Sequence, residues 1–453
     1  MEKSSKEKCL IRAEYPSTMA LKMHPFYRGK LQVLPRCSIS NYQDFSIWYS
    51  PGVAAPCNEI YKHKEKVYDY TGKWNYVAIV SDGTRALGLG DIGPEASLPI
   101  MEGKALLFKY LGGVDAFPLT IGPKISAEEI IKFVKLIQPT FGGINLEDIS
   151  SPKCFKVLND LRSDPEVNIP VWHDDQQGTA CVTLAGLMNA LKIVGKKKND
   201  VKIVFNGIGA SNSAISHILG EANFNLNKAL YVDSKGILYK GRPDLDDITN
   251  YKHKFAQESN PELIEGNCET ALEGADILIS YSVPGPNTIN KKWISKMAND
   301  SIVFACANPV PEIFPWDAID AGARVVATGR SDFPNQVNNS LGFPGIFRGT
   351  LDVRASNITD EMVIAAAYEL AKIGDETEGS LSVTNLLPTM DHPEIYIKEA
   401  VSVGLKAIEQ GIARKKLSKD ELYTEAKRNI EFAQNQTRLL MKEGFIPPFT
   451  NNF

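Results

Sequence analysis

The sequence predicts an α/β fold of two layered units followed by a helical C-terminal segment. Three observations predict it. Short β-branched runs alternate with longer amphipathic stretches, two apolar runs lead directly into acidic pairs, and a strand, a glycine turn and a helix open the second half. At 453 residues, of which 43% are hydrophobic, the chain has room for two or three domains. We place the units at residues 1–185, 186–356 and 357–453.

The first unit reads as alternating strands and helices. β-branched and apolar runs predict strands at 76–80, 114–119, 141–144 and 169–172, and an amphipathic stretch predicts a helix over 126–137. This alternation is typical of a largely parallel sheet covered by helices.

Two of these strands end in acidic pairs, Glu147 with Asp148 and Asp174 with Asp175. A single acidic pair is usually solvated. However, the ligand crevice of an open α/β sheet lies beyond the carboxyl ends of its strands, so we expect the two pairs to share a site. Glu147, Asp148 and Asp175 offer hard oxygen ligands suited to Mg²⁺ or Mn²⁺. Since neighbouring side chains on an extended strand point to opposite faces, Asp174 is expected to face a cation instead.

The second unit opens as a Rossmann-type domain. The turn between an apolar strand and a helix contains four residues suited to a dinucleotide pyrophosphate: Gly207, Gly209, Ala210 and Ser211. Asn212 replaces the third glycine of the usual motif, which we expect to loosen only the contact between helix and strand. Further strands at 275–282, 301–309 and 323–329 extend a doubly wound sheet.

A second glycine string, Gly88, Gly90 and Gly93, fits the dinucleotide pattern on paper. It is followed by Pro94 and lies outside any strand–helix–strand unit with an acidic strand end. A tight loop in the first unit is the better interpretation.

Composition excludes several classes of protein. The 50 Lys and Arg against 54 Asp and Glu give a net charge of −4, which argues against nucleic acid as a partner. No stretch approaches the ~18 apolar residues of a membrane span, and the first residues lack the apolar core of a signal peptide, so we expect a cytosolic protein without a membrane partner. The seven cysteines form no CxxC pair and the six histidines no HExxH motif. We therefore expect reduced thiols and a metal, if any, held by carboxylates.

Long blocks of sequence resemble one family. They are WYSPGVAAPC, SDGTRALGLGDIGPEA, PIMEGKALLFK, GVDAFPL, NLEDI, HDDQQGTA, NGIGAS, ANPVPE and TGRSDFPNQVNNSLGFPGIFRGTLDVRA. The chain resembles a malic enzyme of the shorter, prokaryote-like type along nearly its whole length. The resemblance implies an enzyme with a substrate and metal domain and an NAD(P)-binding domain. Such an enzyme uses a divalent metal to decarboxylate L-malate oxidatively to pyruvate and CO₂ while reducing NAD⁺ or NADP⁺.

The resemblance also implies roles for individual residues. Tyr49 and Lys104 match the catalytic pair, with Asp174 beside the lysine. Glu147, Asp148 and Asp175 match the metal ligands, and Arg85 matches the arginine that grips a malate carboxylate. Asn308 and Asn339 match asparagines lining the substrate and nicotinamide pocket, with Asn338 as a neighbour on the cofactor side.

Elementary chemistry agrees with these roles. Oxidising a secondary alcohol needs a base and a hydride acceptor, and decarboxylation needs an electron sink, which a divalent metal supplies as a Lewis acid. A tyrosine, with its ordinary pKa near ~10, can protonate the resulting enol. A lysine acts as a base near neutrality only if burial or a metal lowers its pKa, and Lys104 lies in an apolar stretch suited to burial.

Cofactor preference rests on opposing signals. Asp233 ends a strand 26 residues after Gly207, and an acid there usually accepts from a ribose hydroxyl, which favours NAD⁺. Ser234 and Lys235 suit a 2′-phosphate, and the Asp-Ser-Lys-Gly string resembles NADP⁺-using malic enzymes. We expect NADP⁺ to be preferred, with residual activity on NAD⁺, if Asp233 turns away from the ribose.

Other functions remain open on sequence alone. The alternatives are another metal-dependent β-decarboxylating dehydrogenase, an oxaloacetate decarboxylase, or a dinucleotide sensor without turnover. The intact set of acid–base and metal residues argues against the sensor. We also expect a homodimer, from the resemblance and from an aromatic-rich stretch with Tyr27, Tyr42, Phe45 and Trp48. The alternative is that these rings fill the core of the first unit.

Overall fold

A computed structural model describes residues 5–247, 250–376 and 381–450, with the backbone alone for residues 5–14. Over these residues the α/β fold predicted from the sequence is confirmed, with two mainly parallel sheets and a helical C-terminal part. None of the described helices is long and apolar enough to cross a lipid bilayer.

The first sheet has four parallel strands in the order β2-β1-β3-β4. Val77 and Ile79 of β1 face one core with Met101 and Phe108, whereas the alternate residues of β1 face a second core. Both faces of the sheet are therefore covered, as the apolar runs predict. The strands are β1 (Tyr76–Ser81), β2 (Asp115–Thr120), β3 (Gly143–Leu146) and β4 (Val171–His173).

The second sheet has six strands in the order β10-β9-β8-β5-β6-β7, and only β7 is antiparallel to its neighbour. Chain order reverses between β5 and β8, which is the switch point where such sheets bind ligands. The strands are β5 (Ile203–Asn206), β6 (Leu230–Asp233), β7 (Gly236–Ile237), β8 (Ile277–Ser280), β9 (Ile302–Ala305) and β10 (Val325–Thr328).

Helices precede, connect and follow the two sheets. Up to the second sheet they are α1 (Ser5–Tyr27), α2 (Asp44–Trp48), α3 (Ala54–Lys62), α4 (Val67–Tyr70), α5 (Gly93–Gly112), α6 (Ala127–Ile137), α7 (Lys153–Ser163) and α8 (Thr179–Val194). From there they are α9 (Ala210–Glu221), α10 (Lys252–Glu258), α11 (Cys268–Leu272), α12 (Lys291–Ile294), α13 (Pro315–Asp320), α14 (Phe343–Asp352), α15 (Asp360–Glu376), α16 (Ile395–Glu409) and α17 (Lys419–Lys442).

The two sheets and the C-terminal helices share one hydrophobic core. Phe108 on α5 packs against Phe343 and Phe347 on α14, with ring centroids 4.6 and 5.1 Å apart. Helix α8 runs through residue 185, where we placed a boundary, and links the first sheet to the second without a break. The two units therefore meet through a continuous helix and a common core.

Candidate active site

A cavity of about 430 Å³ opens between the carboxyl ends of the two sheets. Most of the residues that the sequence nominated for the substrate, the metal and the pyrophosphate line it together, although Gly207 does not. They are Arg85, Lys104, Glu147, Asp148, Asp175, Gly209, Ala210, Ser211, Asn308, Asn338 and Asn339.

The three nominated metal ligands come together at this cavity. Glu147 and Asp148 directly follow β3, and Asp148 has a φ of 53°, a left-handed conformation that is uncommon for residues other than glycine. The backbone N–H of Asp148 donates to Asp175 Oδ2 at 2.9 Å. One carboxylate oxygen from each of the three residues lies within 4.8 Å of the others, and Asp148 Oδ2 is buried without a hydrogen-bond partner.

We expected Asp174 to lie on an extended strand, but it does not. Residues Asp174–Gly178 form a π-helical turn, so it is the turn rather than strand alternation that separates Asp174 from Asp175. Asp174 is fully buried and accepts from Lys104 Nζ at 2.5 Å and Trp172 Nε1 at 3.0 Å. A Cβ on Gly178 would lie 2.0 Å from Asp174 Oδ1, so the turn requires glycine at this position.

Lys104 projects from α5 into this acidic group and is buried as predicted. Its Nζ lies 3.0 Å from Glu147 Oε1 and 4.4 Å from the centroid of the Phe343 ring. Burial lowers the pKa of Lys104, but Asp174 and Glu147 outweigh it and raise that pKa above its ordinary value. In this arrangement Lys104 is an ammonium, contrary to the lowered pKa that burial alone predicts.

The carboxylates carry more negative charge than Lys104 can balance. Burial, assisted by repulsion from Asp175, raises the pKa of Asp148 to about 8. Burial likewise raises the pKa of Glu147 and of Asp174, although Lys104 opposes both shifts. Oxygen donors with excess charge and an unpartnered buried oxygen fit a hard divalent cation held by Glu147, Asp148 and Asp175.

Arg85 lies on a loop that is tied to the acidic residues. Its backbone N–H donates to the Asp148 carbonyl at 3.0 Å. Thr84 Oγ1 accepts from the Ser150 backbone N–H at 3.0 Å and donates to buried Asp82, which also pairs with Lys153. The arginine and the acidic loop therefore hold their relative positions.

The second glycine string forms a tight loop that ends where α5 begins, and Ala86 N–H donates to the Gly90 carbonyl at 2.9 Å to close it. A Cβ on Gly88 would lie 2.2 Å from the Asn308 carbonyl oxygen and 2.7 Å from Pro309 Cδ. This glycine lets a loop of the first unit contact the Asn308 loop of the second unit across the cavity.

The dinucleotide turn has the geometry its sequence predicts, with one addition. Gly207 has a φ of 87°, and a Cβ there would lie 2.6 Å from the Tyr281 carbonyl oxygen. Gly209 precedes α9, so the helix N-terminus faces the cavity. Asn212 does not loosen the helix–strand contact, because its buried amide donates to the carbonyls of Asn206, Gly207 and Ile279 at 2.8 to 3.3 Å.

Asp233 forms ion pairs with cationic side chains instead of being unpaired. Arg242 donates to its two oxygens at 3.0 and 2.8 Å, and Lys252 Nζ lies 2.7 Å away. Burial opposes its ionisation, but these partners lower the pKa of Asp233 to about 2. Lys235 is mostly exposed and lies 3.0 Å from Asp244, and neither Asp233, Ser234 nor Lys235 lines the cavity.

Tyr49, a nominated catalytic residue, does not lie at the cavity, whereas Asp174 stays outside the lining but contacts Lys104. Tyr49 follows α2, is 74% exposed and is absent from the cavity lining. Large exposed apolar side chains surround it in sequence, among them Val33, Tyr42, Trp48 and Tyr61. Of the four rings that we expected either at a partner surface or in the core of the first unit, Tyr42, Phe45 and Trp48 are exposed and do not fill that core, whereas Tyr27 is partly buried.

Sequence reasoning missed several residues of this region. Tyr281 and Cys306 directly follow β8 and β9 and line the cavity, but the strands predicted at 275–282 and 301–309 were too long and included both residues. Arg242 and Lys252 lie 9 and 19 residues beyond Asp233 and left no comparable signal. The six cysteines with described side chains are all free thiols, as expected.

Fold and site together define a dinucleotide-binding α/β enzyme with an acidic centre beside a buried lysine. Residues 28–162 match the family model for the malic enzyme N-terminal domain, and residues 176–408 match that for the malic enzyme NAD-binding domain. The chain belongs to the malic enzyme family.

Individual relatives agree along most of the chain. A bifunctional malic/malolactic enzyme of Bacillus subtilis is 48% identical over 89% of this chain and 96% of its own. An NAD-dependent malic enzyme of Geobacillus stearothermophilus is 46% identical over 85% of this chain and 78% of its own. The crystal structure of Entamoeba histolytica malic enzyme, 44% identical, superimposes with a TM-score of 0.95 over 99% of this chain and 93% of that one.

The contact at Gly88 yields a prediction. Gly88→Ala should lower kcat/KM for the substrate by ~10-fold or more, because an added methyl group pushes the Asn308 loop away and small misplacements in an active site are costly. Gly122→Ala is the matched control, since a Cβ there meets nothing within 4 Å. Steady-state kinetics and thermal denaturation of both variants measure the effect. Unchanged kinetics in Gly88→Ala would show that the close approach is not needed.

Proposed function

We propose that this protein oxidatively decarboxylates L-malate to pyruvate and CO₂ with reduction of NADP⁺, or less efficiently NAD⁺, in the presence of Mn²⁺ or Mg²⁺. The observation that carries the proposal is the single cavity in which a dinucleotide turn faces a buried lysine, three carboxylates and an arginine. Membership of the malic enzyme family supports it.

The residues at the cavity have separate roles in this reaction. Arg85 binds a malate carboxylate, and the amides of Asn308 and Asn339 orient the substrate beside the dinucleotide turn. A nicotinamide would supply the hydride acceptor, and a divalent ion held by Glu147, Asp148 and Asp175 would supply a Lewis acid.

Lys104 and Asp174 handle the proton of the substrate hydroxyl. Because Asp174 and Glu147 keep Lys104 charged, the lysine has to pass a proton on before it can accept one. Asp174 Oδ2, at 2.5 Å, is the acceptor placed for this transfer, and burial raises the pKa of that carboxyl toward the range in which it can hold a proton.

Metal dependence gives the first test of the activity. Malate-dependent absorbance at the nicotinamide band should disappear in excess EDTA and return with Mn²⁺. Less Mn²⁺ should be needed at pH 8 than at pH 6, because below about 8 a proton occupies Asp148 and competes with the ion.

Full activity in EDTA, or an Mn²⁺ requirement that does not fall as pH rises, would contradict the metal assignment. Decarboxylation of oxaloacetate without any oxidation of malate would instead favour a decarboxylase. Oxidation of a different β-hydroxy acid in place of malate would favour a related dehydrogenase.

The position of Tyr49 supports a homodimer. Several large apolar side chains between Val33 and Tyr61 are exposed, which is typical of a partner surface, and a second copy would cover them. Within such a dimer, Tyr49 of one copy would reach the cavity of the other and protonate the enol there. This placement reconciles its catalytic role with its absence from the cavity of its own chain.

Complementation tests the shared site. Tyr49→Phe and Lys104→Ala should each be nearly inactive, and a refolded or co-expressed equal mixture should recover about a quarter of the wild-type activity. Half of randomly formed dimers are mixed, and each mixed dimer contains one intact site of two. No recovery in a mixture shown to contain mixed dimers would mean that Tyr49 acts within its own chain or not at all. Light scattering gives the assembly mass.

The charge around Asp233 supports NADP⁺. Lys235, Arg242 and Lys252 outnumber Asp233 and Asp244 by one, and the carboxylate that would accept from a ribose hydroxyl is already occupied by cations. The group therefore has surplus positive charge for a 2′-phosphate.

Cofactor ratios test this assignment. Lys252→Gln and Lys235→Ala should each lower the ratio of kcat/KM for NADP⁺ over NAD⁺ by roughly 10-fold or more, the value of one charge-assisted contact. Lys254→Gln is the control, since Lys254 is exposed and lies 3.9 Å from Glu258. A wild type that prefers NAD⁺, or an unchanged ratio in both variants, would mean that Asp233 dominates.

A further inference from the structure

Glu312 is a fully buried carboxylate with no cationic partner among the described residues. Hydrogen bonds from neutral groups compensate it instead. Its Oε1 accepts from Ser280 Oγ at 2.7 Å, the Ser282 backbone N–H at 2.8 Å and Ser282 Oγ at 3.1 Å. Its Oε2 accepts from the Ala307 backbone N–H at 3.0 Å. A carboxylate removed from water persists only where such donors surround it.

These donors lie at or just beyond the ends of two adjacent strands of the second sheet. Ser280 ends β8 and Ser282 follows it, whereas Ala307 lies two residues beyond the end of β9. Both segments then enter the cavity, which Ser282, Ala307 and Asn308 line. Glu312 thus joins the two loops at the point where they form the floor of the site.

Two interactions fix the position of Asn308, one on each side. Glu312 accepts a hydrogen bond from the backbone N–H of Ala307, the residue immediately before Asn308. The carbonyl oxygen of Asn308 faces Gly88 with no room for a methyl group. Asn308 is therefore set between an anchor on the second unit and a loop of the first.

We propose that Glu312 is a positioning residue that sets Asn308, through the Ala307 N–H, in the orientation that binds the substrate. The inference rests on the proposed malate activity. Glu312 itself does not line the cavity and touches neither substrate nor cofactor. Its role is to fix the spacing between the ends of β8 and β9.

Glu312→Gln weakens this link with almost no change in volume. In either orientation of the new amide, its NH₂ group faces a backbone N–H, that of Ala307 or that of Ser282, so one of the two loops loses its backbone hydrogen bond. We expect the malate KM to rise ~10-fold or more, with a smaller fall in kcat, because one buried donor is left unpaired beside the substrate site. The dissociation constant of NADPH, from fluorescence titration, should stay within about twofold, because the Asn212 amide holds the carbonyls of Asn206 and Gly207 at the glycine turn without Glu312.

Two further variants make the test specific. Glu399→Gln changes another fully buried glutamate, on α16 and away from the cavity, whose oxygens have no hydrogen-bond partner in the described part of the chain. It should leave both constants unchanged. Ser280→Ala removes a donor to Oε1 but leaves the Ala307 link, so it should raise KM far less than Glu312→Gln.

A wild-type malate KM in folded, NADPH-binding Glu312→Gln overturns the inference. An equal rise in the malate KM of Ser280→Ala also overturns it, because it would indicate general loosening of the sheet. A parallel loss of NADPH binding assigns Glu312 to the structure of the domain and also overturns it. An inactive wild type would refute the proposed function instead, so the two failures are distinct.

Discussion

The contacts of buried Lys104 with Asp174 and Glu147 are the constraint on which the site depends. They join α5 to the ends of β3 and β4, so the acidic loops can take no other position without leaving a charge unpaired inside the protein. One lysine cannot balance four carboxylates, and burial together with repulsion from Asp175 raises the pKa of Asp148. The same arrangement that holds the fold together at this point therefore favours a divalent cation.

Part of that environment comes from distant sequence. Phe343 lies 4.4 Å from Lys104 Nζ and belongs to α14, which follows the second sheet. α14 in turn packs against α5 through Phe108. The lysine is thus enclosed by the first unit on one side and by α14 of the second unit on the other. Its burial therefore requires both units to be folded together.

Much of this could be predicted from sequence because it is local. The strands have apolar runs, and Glu147 and Asp175 are adjacent to strand ends, so topology alone brings them together. The features that could not be predicted depend on tertiary partners. Asp233 pairs with Arg242 and Lys252, which lie further along the chain, and Asp174 begins a π-helical turn that no periodicity indicates. The exposure of Tyr49 likewise depends on how the chain packs, or on a second copy.

The connection between the two units limits how the cavity can change. Helix α8 begins one residue after the turn carrying Asp175 and ends shortly before β5, and its 16 residues span ~24 Å as one rigid element. Ser211 Oγ at the start of α9 donates to the Asp175 carbonyl at 3.2 Å, which ties the dinucleotide turn to the acidic loop as well. These two links keep the dinucleotide turn and the acidic centre at a constant separation. The close approach of Gly88 to Asn308 adds a further contact across the cavity. Glu312, which accepts from the Ala307 N–H next to Asn308, supports that contact from the side of the second unit.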